Sequence, residues 1–493
     1  MGSFKRDAEG SMMAKPLHPV DAAWYHLDSR ENPAVVTALA LTRRPLDFAA
    51  VRERFLHRVA RIDRFHSRVV ETGLPWPTPH WVPAEDFDLD QHLHRVVLPA
   101  PGDDAALARL VEDLSNEPLP RELPLWQAHV IEGRANRGSG LLLRYHHCIG
   151  DGMAMMNLAE RLFDHQAHPT AEPIDEEEIP VAPEPAPSML QSAFSGFERS
   201  ARELRQLARE AWDTATDPAA AMQAASLIAR GAGALVQELL QPADPPSPFK
   251  GVFEMRQRIA WSRPLPIATF KAIGEPMNAK VNDVLVAALG GALRAYLKQR
   301  GGLPAQSSLR AMVPVNLRPP SHAHRMGNEF GVVILPLPIH ETTPLRRLAA
   351  AKAQMDVLKH TPEAAAMHFL FDLFGRGPKP LEDLAQTWFG SKASLVLTNV
   401  AGPRKPMYLA GVAVDQMMFW VPHPGDEMGM GASILSYHRN AVLGLLCDAR
   451  LVPDPESITA AFEHEVDTLQ AQLKAGEARR AALRERASGR HHA

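Results

Sequence analysis

Residues 141–152 read LLLRYHHCIGDG: two adjacent histidines, His146 and His147, close an apolar run, and Asp151 and Gly152 follow shortly after. Neutral imidazole is the side chain best suited to take a proton near pH 7. A carboxylate four residues on can orient such a ring or lock a turn through an ion pair. Successive strand side chains face opposite sides of a sheet, so one histidine can enter a cleft while the other packs behind it. The same alternation turns Cys148 away from the face that His147 occupies, which suits a small buried residue. Gly150 and Gly152 serve a sharp turn around Asp151. Two adjacent histidines alone are most often structural, and a metal site lacks a third His or Cys at ligand spacing. The full pattern His-His-x-x-x-Asp-Gly is rarer. With 22 His and 31 Gly in 493 residues, chance supplies it on the order of a few times per thousand such chains, which favours a catalytic site.

The elements that must hold these residues are legible around them. WQAHVIEG and GLLLRYHHC form a hairpin about the turn 134–140, and MAMMNLAERLF starts a helix beyond the motif. VVTALALT is a strand, and AAVRERFLHRVARI has helical spacing through Val51, Phe55, Val59 and Ile62. Further on, NDVLVAALGGALRAYLKQRG is a helix with its start signal at Asn282 and Asp283. SLRAMVPVNLR, GVVILPLPI, ASLVLTNVAG, GVAVDQMMFWV, ASILSYHRN and AVLGLLCDAR are strands, and a long polar helix from PESITAAFEHE closes the chain. Strands and helices in each of two halves give an α/β, or α+β layered, architecture. The halves are residues 15–165 and 251–485, joined by a Pro-rich and helical connector over 166–250.

Bulk composition narrows the function. A hydrophobic content of 45% with 22% charged residues is that of an ordinary globular protein, and a net charge of −4 gives no basic field for nucleic acid. Two cysteines cannot build a disulfide framework and suit a reducing, cytoplasmic compartment. No apolar stretch reaches the roughly 20 residues of a membrane span. In the connector, Phe194 to Trp212 has an apolar side and four arginines, suited to an anionic lipid surface or to packing on the two halves.

With these motifs the chain resembles the bacterial wax ester synthase/diacylglycerol acyltransferase family, whose fold is that of chloramphenicol acetyltransferase. HHCIGDG matches its HHxxxDG signature. PLW at 124–126, Asn282-Asp283, VPVNLRPP…MGNEFGVVILPLP and LVLTNVAGP follow in family order. The resemblance implies two domains of similar topology facing each other across a tunnel, with acyl-CoA as substrate and no cofactor. Long-chain alcohol or diacylglycerol would be the acceptor, drawn from the inner membrane face or from lipid bodies. His147 would be the general base, with His146 beside it in the motif, and Asp151 would pair with Arg318 across the domain seam. Asn282 would cap its helix or place an amide by the reacting carbonyl, with Asp283 structural. Thr398 and Asn399, at a strand end, are candidate oxyanion donors. PLW would position its strand, with Trp126 a further candidate substrate contact. Met153, Met155 and Met156, with Met417, Met418, Met428 and Met430, are either tunnel wall or core. A condensation-type or other acyl-CoA transferase of the same fold shares the signature, whereas a non-catalytic lipid-droplet surface protein, the remaining alternative, would have no need of an intact HHxxxDG.

Overall fold

The computed structural model describes residues 14–72, 78–135, 138–167, 242–302, 309–318, 322, 325–358, 387, 390–423 and 427–489. The histidine motif ends strand β7 (Gly140–His146), which pairs antiparallel with β2 (Val35–Thr42) on one side and β6 (Trp126–Glu132) on the other. Leu141, Leu143 and Tyr145 of β7 are buried on one face and Leu142 on the other, so both faces of this central strand are covered. Beyond β6 lies β5 (Leu93–Val97), parallel to it. The far edge is supplied by the second half of the chain. β14 (Val412–Trp420) pairs with β2 from Val414↔Thr42 to Trp420↔Thr37, and the short β13 (Tyr408–Leu409) pairs with β14. Chain order and sheet membership therefore part company at this one excursion, which carries Met417, Met418 and Phe419 into the first sheet.

A second sheet runs β11 (Phe330–Leu337), β10 (Leu309–Asn316), β12 (Leu395–Ala401), β15 (Met430–Tyr437), β16 (Asn440–Asp448) and β8 (Gln257–Trp261), with β9 (Leu265–Pro266) also on β16. A small sheet of β1 (Lys15–Pro16), β4 (Thr78–Pro83) and β3 (Ser67–Thr72) flanks the first. Among the helices, α1 (Pro19–Leu27) packs against the turn that follows β7. α2 (Phe48–Arg54) runs into a π turn at Phe55–Val59, burying Val51, Phe55 and Val59, and α3 (Asp104–Asn116) follows. α4 (Gly152–Leu162) leaves the histidine turn.

On the second sheet sit α5 (Ile267–Gly274), α6 (Val281–Gln299), α7 (Pro344–Leu358) and α8 (Pro455–Gly489). α6 is apolar on all sides and buried along most of its length, because α7 and α8 cover what the sheet leaves open. α8, polar as a whole, buries Ile458, Phe462, Val466 and Leu469 at three- and four-residue steps, which fastens its first half to that core. Most of the connector, including the segment Phe194 to Trp212, lies outside the described residues. No described helix is long and apolar enough to cross a membrane.

Candidate active site

β7 stops at His146, and the chain then makes a tight turn over His147–Ile149. His146 is only 3% exposed and faces inward beside Tyr25. Its Nδ1 accepts the Cys148 N–H at 3.1 Å, Nε2 lies 3.8 Å from Asp28 Oδ1, and burial pushes its pKa down to about 4. His147 faces the other way, into a pocket, and is half-buried. Its ring stacks on Trp24 with centroids 4.0 Å apart and planes 11° from parallel, and the His147 backbone N–H donates to Ala34 O at 2.7 Å. Burial holds the His147 imidazole below the ordinary histidine pKa, opposed by hydrogen-bond acceptors and by the carboxylates of Asp151 and Asp21. The ring is thus neutral at pH 7, the form that can take a proton. Cys148 is fully buried, and burial raises its thiol pKa well above the usual value, so it stays protonated.

Asp151 ties the turn to the second half of the chain. It caps α4, its Oδ1 accepting the Met153 and Ala154 N–H groups at 3.0 Å. Arg318 Nη2 lies 3.1 Å from both carboxylate oxygens and donates to Gly327 O at 2.8 Å, and the Glu329 N–H donates to Oδ2 at 3.0 Å. The Asp151–Arg318 pair named from sequence is therefore present and buried. The glycines serve close approach. A Cβ on Gly150 would lie 2.5 Å from Ala154 Cβ and 3.3 Å from the Gly327 N–H nitrogen, and one on Gly152 would lie 2.9 Å from Val400 Cγ2 of β12.

Three further residues surround His147 to which the sequence assigned no role. Asn328 Oδ1 is 3.1 Å from His147 Nδ1, and Asn328 Nδ2 donates to His147 O and to Asp21 Oδ1, both at 2.8 Å. Asp21, on α1 and fully buried, also accepts the Asn328 N–H at 3.0 Å and forms an ion pair with Arg64 at 2.7 Å. Arg64 Nη1 donates to the carbonyls of Cys148 and Ile149 at 2.9 and 3.1 Å. The only local signal for Asn328 is Gly-Asn before a strand, which an ordinary turn would also produce.

The pocket beyond His147 lies between the first sheet, α4 and the edge of the second sheet. Its wall is overwhelmingly apolar: Ala38 and Ala40 of β2, Met155 and Met156 of α4, and Met417 and Phe419 of β14 are representative. Met153 and Met418 also line it, whereas Met428 and Met430 are fully buried core and do not. Thr398 and Asn399 line it too, but from the middle of β12, which continues to Ala401, rather than from a strand end. Asn282 corrects its expectation. It is the second residue of α6, not the cap, and Asp283 does the capping by accepting the Lys280 N–H at 2.8 Å. Asn282 is buried behind Asn399, whose Nδ2 donates to its Oδ1 at 3.2 Å, so Asn399 stands between it and the pocket. Trp126 is also corrected. It is fully buried, donates from Nε1 to Phe65 O at 2.8 Å and stacks on Phe55 and His92, away from the pocket. Packing, not substrate contact, is its place. No cluster of metal-ligating side chains occurs among the described residues.

A histidine turn clasped between two sheet domains at the head of a pocket defines a class, the two-domain acyltransferases with the HHxxxDG motif. Solved structures share the architecture. A wax ester synthase/diacylglycerol acyltransferase from Marinobacter aquaeolei VT8 superposes with a TM-score of 0.66 at 23% identity, covering 94% of this chain and 100% of that one. The first condensation domain of the calcium-dependent antibiotic synthetase gives 0.56 at 15% identity, over 93% and 96%. At such identities the likeness is one of fold. Family models decide further: the wax ester synthase/diacylglycerol acyltransferase catalytic domain matches residues 17–285, and the WS/DGAT C-terminal domain matches 326–470. The chain belongs to this family and is an O-acyltransferase. A Mycobacterium tuberculosis H37Rv protein named probable diacylglycerol O-acyltransferase tgs1 is 28% identical over 457 residues, 90% of this chain and 93% of that one.

Proposed function

We propose that the protein moves a fatty acyl group from acyl-CoA directly to the hydroxyl of a long-chain primary alcohol or of diacylglycerol. One observation carries this reading: a neutral, half-buried histidine stands at the head of a pocket whose wall is almost wholly apolar. His147 Nε2 takes the acceptor hydroxyl proton as that oxygen attacks the thioester carbonyl carbon. When the tetrahedral adduct collapses, the C–S bond breaks and the same proton passes from the imidazolium to the leaving thiolate. Base and acid are one group, and no acyl-enzyme forms. Cys148, buried and protonated behind the motif, supports the absence of a covalent step.

The carbonyl oxygen becomes an oxyanion on the side of Thr398 and Asn399, at the N-terminal end of α6, where positive helix-end charge favours it. Acceptors of this kind are insoluble, so the protein works at a membrane or lipid-body surface, and no described helix is long and apolar enough to cross it. The relatives' names support diacylglycerol as one acceptor, and the apolar wall supports simple alcohols as another. Palmitoyl-CoA offered in parallel to hexadecanol and to dioleoylglycerol, with products separated by thin-layer chromatography, tests the reading. Wax ester and triacylglycerol are both expected. No ester from either acceptor, with product formed only from a carrier-bound acyl donor, would replace it by condensation-type transfer.

A further inference from the structure

We propose that Asn328 is a positioning residue for His147: held in one amide orientation by Asp21, it confines the imidazole to the tautomer with its proton on Nδ1. The inference rests on His147 being the general base and deepens that reading. The reasoning is one of donors and acceptors. Asn328 Nδ2 lies 2.8 Å from a carboxylate oxygen of Asp21 and 2.8 Å from the His147 carbonyl, two groups that only accept. The NH2 end of the amide must therefore point that way, and the amide oxygen is left facing His147 Nδ1 at 3.1 Å. An amide oxygen only accepts, so Nδ1 must carry the hydrogen. In a neutral ring the lone pair is then on Nε2, the nitrogen left for the substrate.

The hierarchy of supports explains why the orientation is fixed. Asp21 Oδ1 accepts both the backbone and the side-chain N–H of Asn328, and its other oxygen is paired with Arg64. Arg64 in turn holds the carbonyls of Cys148 and Ile149, the two residues after His147. Flipping the amide would set its oxygen against a buried carboxylate. The device also spans the seam, since Asn328 belongs to the second half of the chain and Asp21, Arg64 and His147 to the first. Besides the ring's hydrogen bond to its own backbone carbonyl, it is a neutral amide, not a carboxylate, that contacts the ring. The charges facing His147 are Asp21 from α1, Arg64 from the segment after α2, and Asp151 at the head of α4. Arg318 and Glu329, from the loop before β11, complete them.

The test is direct observation of the imidazole. In protein labelled with 15N-histidine, the His147 ring signals are identified by their loss in His147→Ala and read by long-range 1H–15N correlation at about pH 7.5. Wild type should show a protonated Nδ1 and a bare Nε2. Asn328→Leu should lose this pure tautomer and lower kcat by roughly 10- to 100-fold with little change in KM for acyl-CoA. Asn328→Asp should lower kcat as well, because one of its oxygens would face the Asp21 carboxylate and the His147 carbonyl, two groups that only accept. A wild-type ring protonated on Nε2 would overturn the proposal, whether or not the variants fold. Retained ester synthesis in His147→Ala would instead remove the general base and leave the tautomer result standing.

Discussion

On one face of the turn that carries His147, nearly every contact is a hydrogen bond with a fixed partner: Asn328, Asp21, Arg64, Asp151 and Arg318. On the other face the ring meets a wall of Met, Leu, Ala and Phe side chains, whose contacts have no direction. The first wall resists change, because each buried polar group needs its partner at the right distance and is costly to strand. The second adapts, since unbranched methionines fill irregular space with little preference for shape. Rate is thereby assigned to the polar wall, where the proposed base is held, and selectivity to the apolar one, where each methylene of substrate is worth only ~1 kcal/mol.

The sharpest way to break this division is at the proposed base, His147. His147→Ala should lower ester synthesis by at least ~10²–10⁴-fold, the usual worth of a positioned base, with the thermal midpoint near that of wild type. His146→Ala should do the reverse, losing roughly 1–3 kcal/mol of stability from its buried hydrogen bond and packing while turnover persists. Assays and calorimetry on the two variants read this at once, and a dead but stable His146→Ala would exchange the roles.

Next in size is the seam. Asp151→Asn removes a charge from a buried pair and leaves Arg318 without its counterion, which should cost on the order of 3–5 kcal/mol. Combining it with Arg318→Met should cost less than the sum of the two single changes, because the groups touch. Strict additivity in urea unfolding would show that the pair does not act as a unit.

The turn itself was legible in sequence because its chemistry is local: two histidines, a carboxylate and two glycines within seven residues fix both the elements and the cap. Arg318 could be named only through the family resemblance. Asn328 and Asp21 could not, since a lone amide and a lone carboxylate separated by about 300 positions leave no spacing to read. The crossing of β14 into the first sheet was hidden for the same reason. Its alternating pattern shows a strand but not which strand it joins, and pairing with β2 is settled by the whole core. Asn282 failed more simply. Helix starts are uncertain by a residue or two, and that shift moves the cap from Asn282 to Asp283's bond with Lys280. The connector segment Phe194 to Trp212, suited to a lipid surface or to packing on the two halves, lies outside the described residues.

Acid should act on the fold through its buried histidines. Burial depresses the pKa of His129 to about 3, and of His146 and His423 to about 4, from an ordinary 6.5. Unfolded, these rings take up protons below pH 6.5; folded, they do not until far lower. Stability from keeping them neutral is therefore full above the ordinary value and lost as pH falls through the window down to about 4. At about pH 5 each would cost ~2 kcal/mol. A urea midpoint that falls steadily from pH 7 to 5 is expected, and a flat profile would show these rings to be solvated.

The smallest effect, and the most direct test of the division between the walls, is a ratio. Rates with hexadecanol and dioleoylglycerol in competition should be measured for wild type, for Asp151→Asn and for Met156→Ala, which enlarges the pocket. Asp151→Asn should slow both acceptors by one common factor and leave their ratio intact. Met156→Ala should change the ratio by up to ~10-fold while the better acceptor keeps its wild-type rate. A ratio that moves in Asp151→Asn and stands still in Met156→Ala would contradict the assignment of rate to one wall and selectivity to the other.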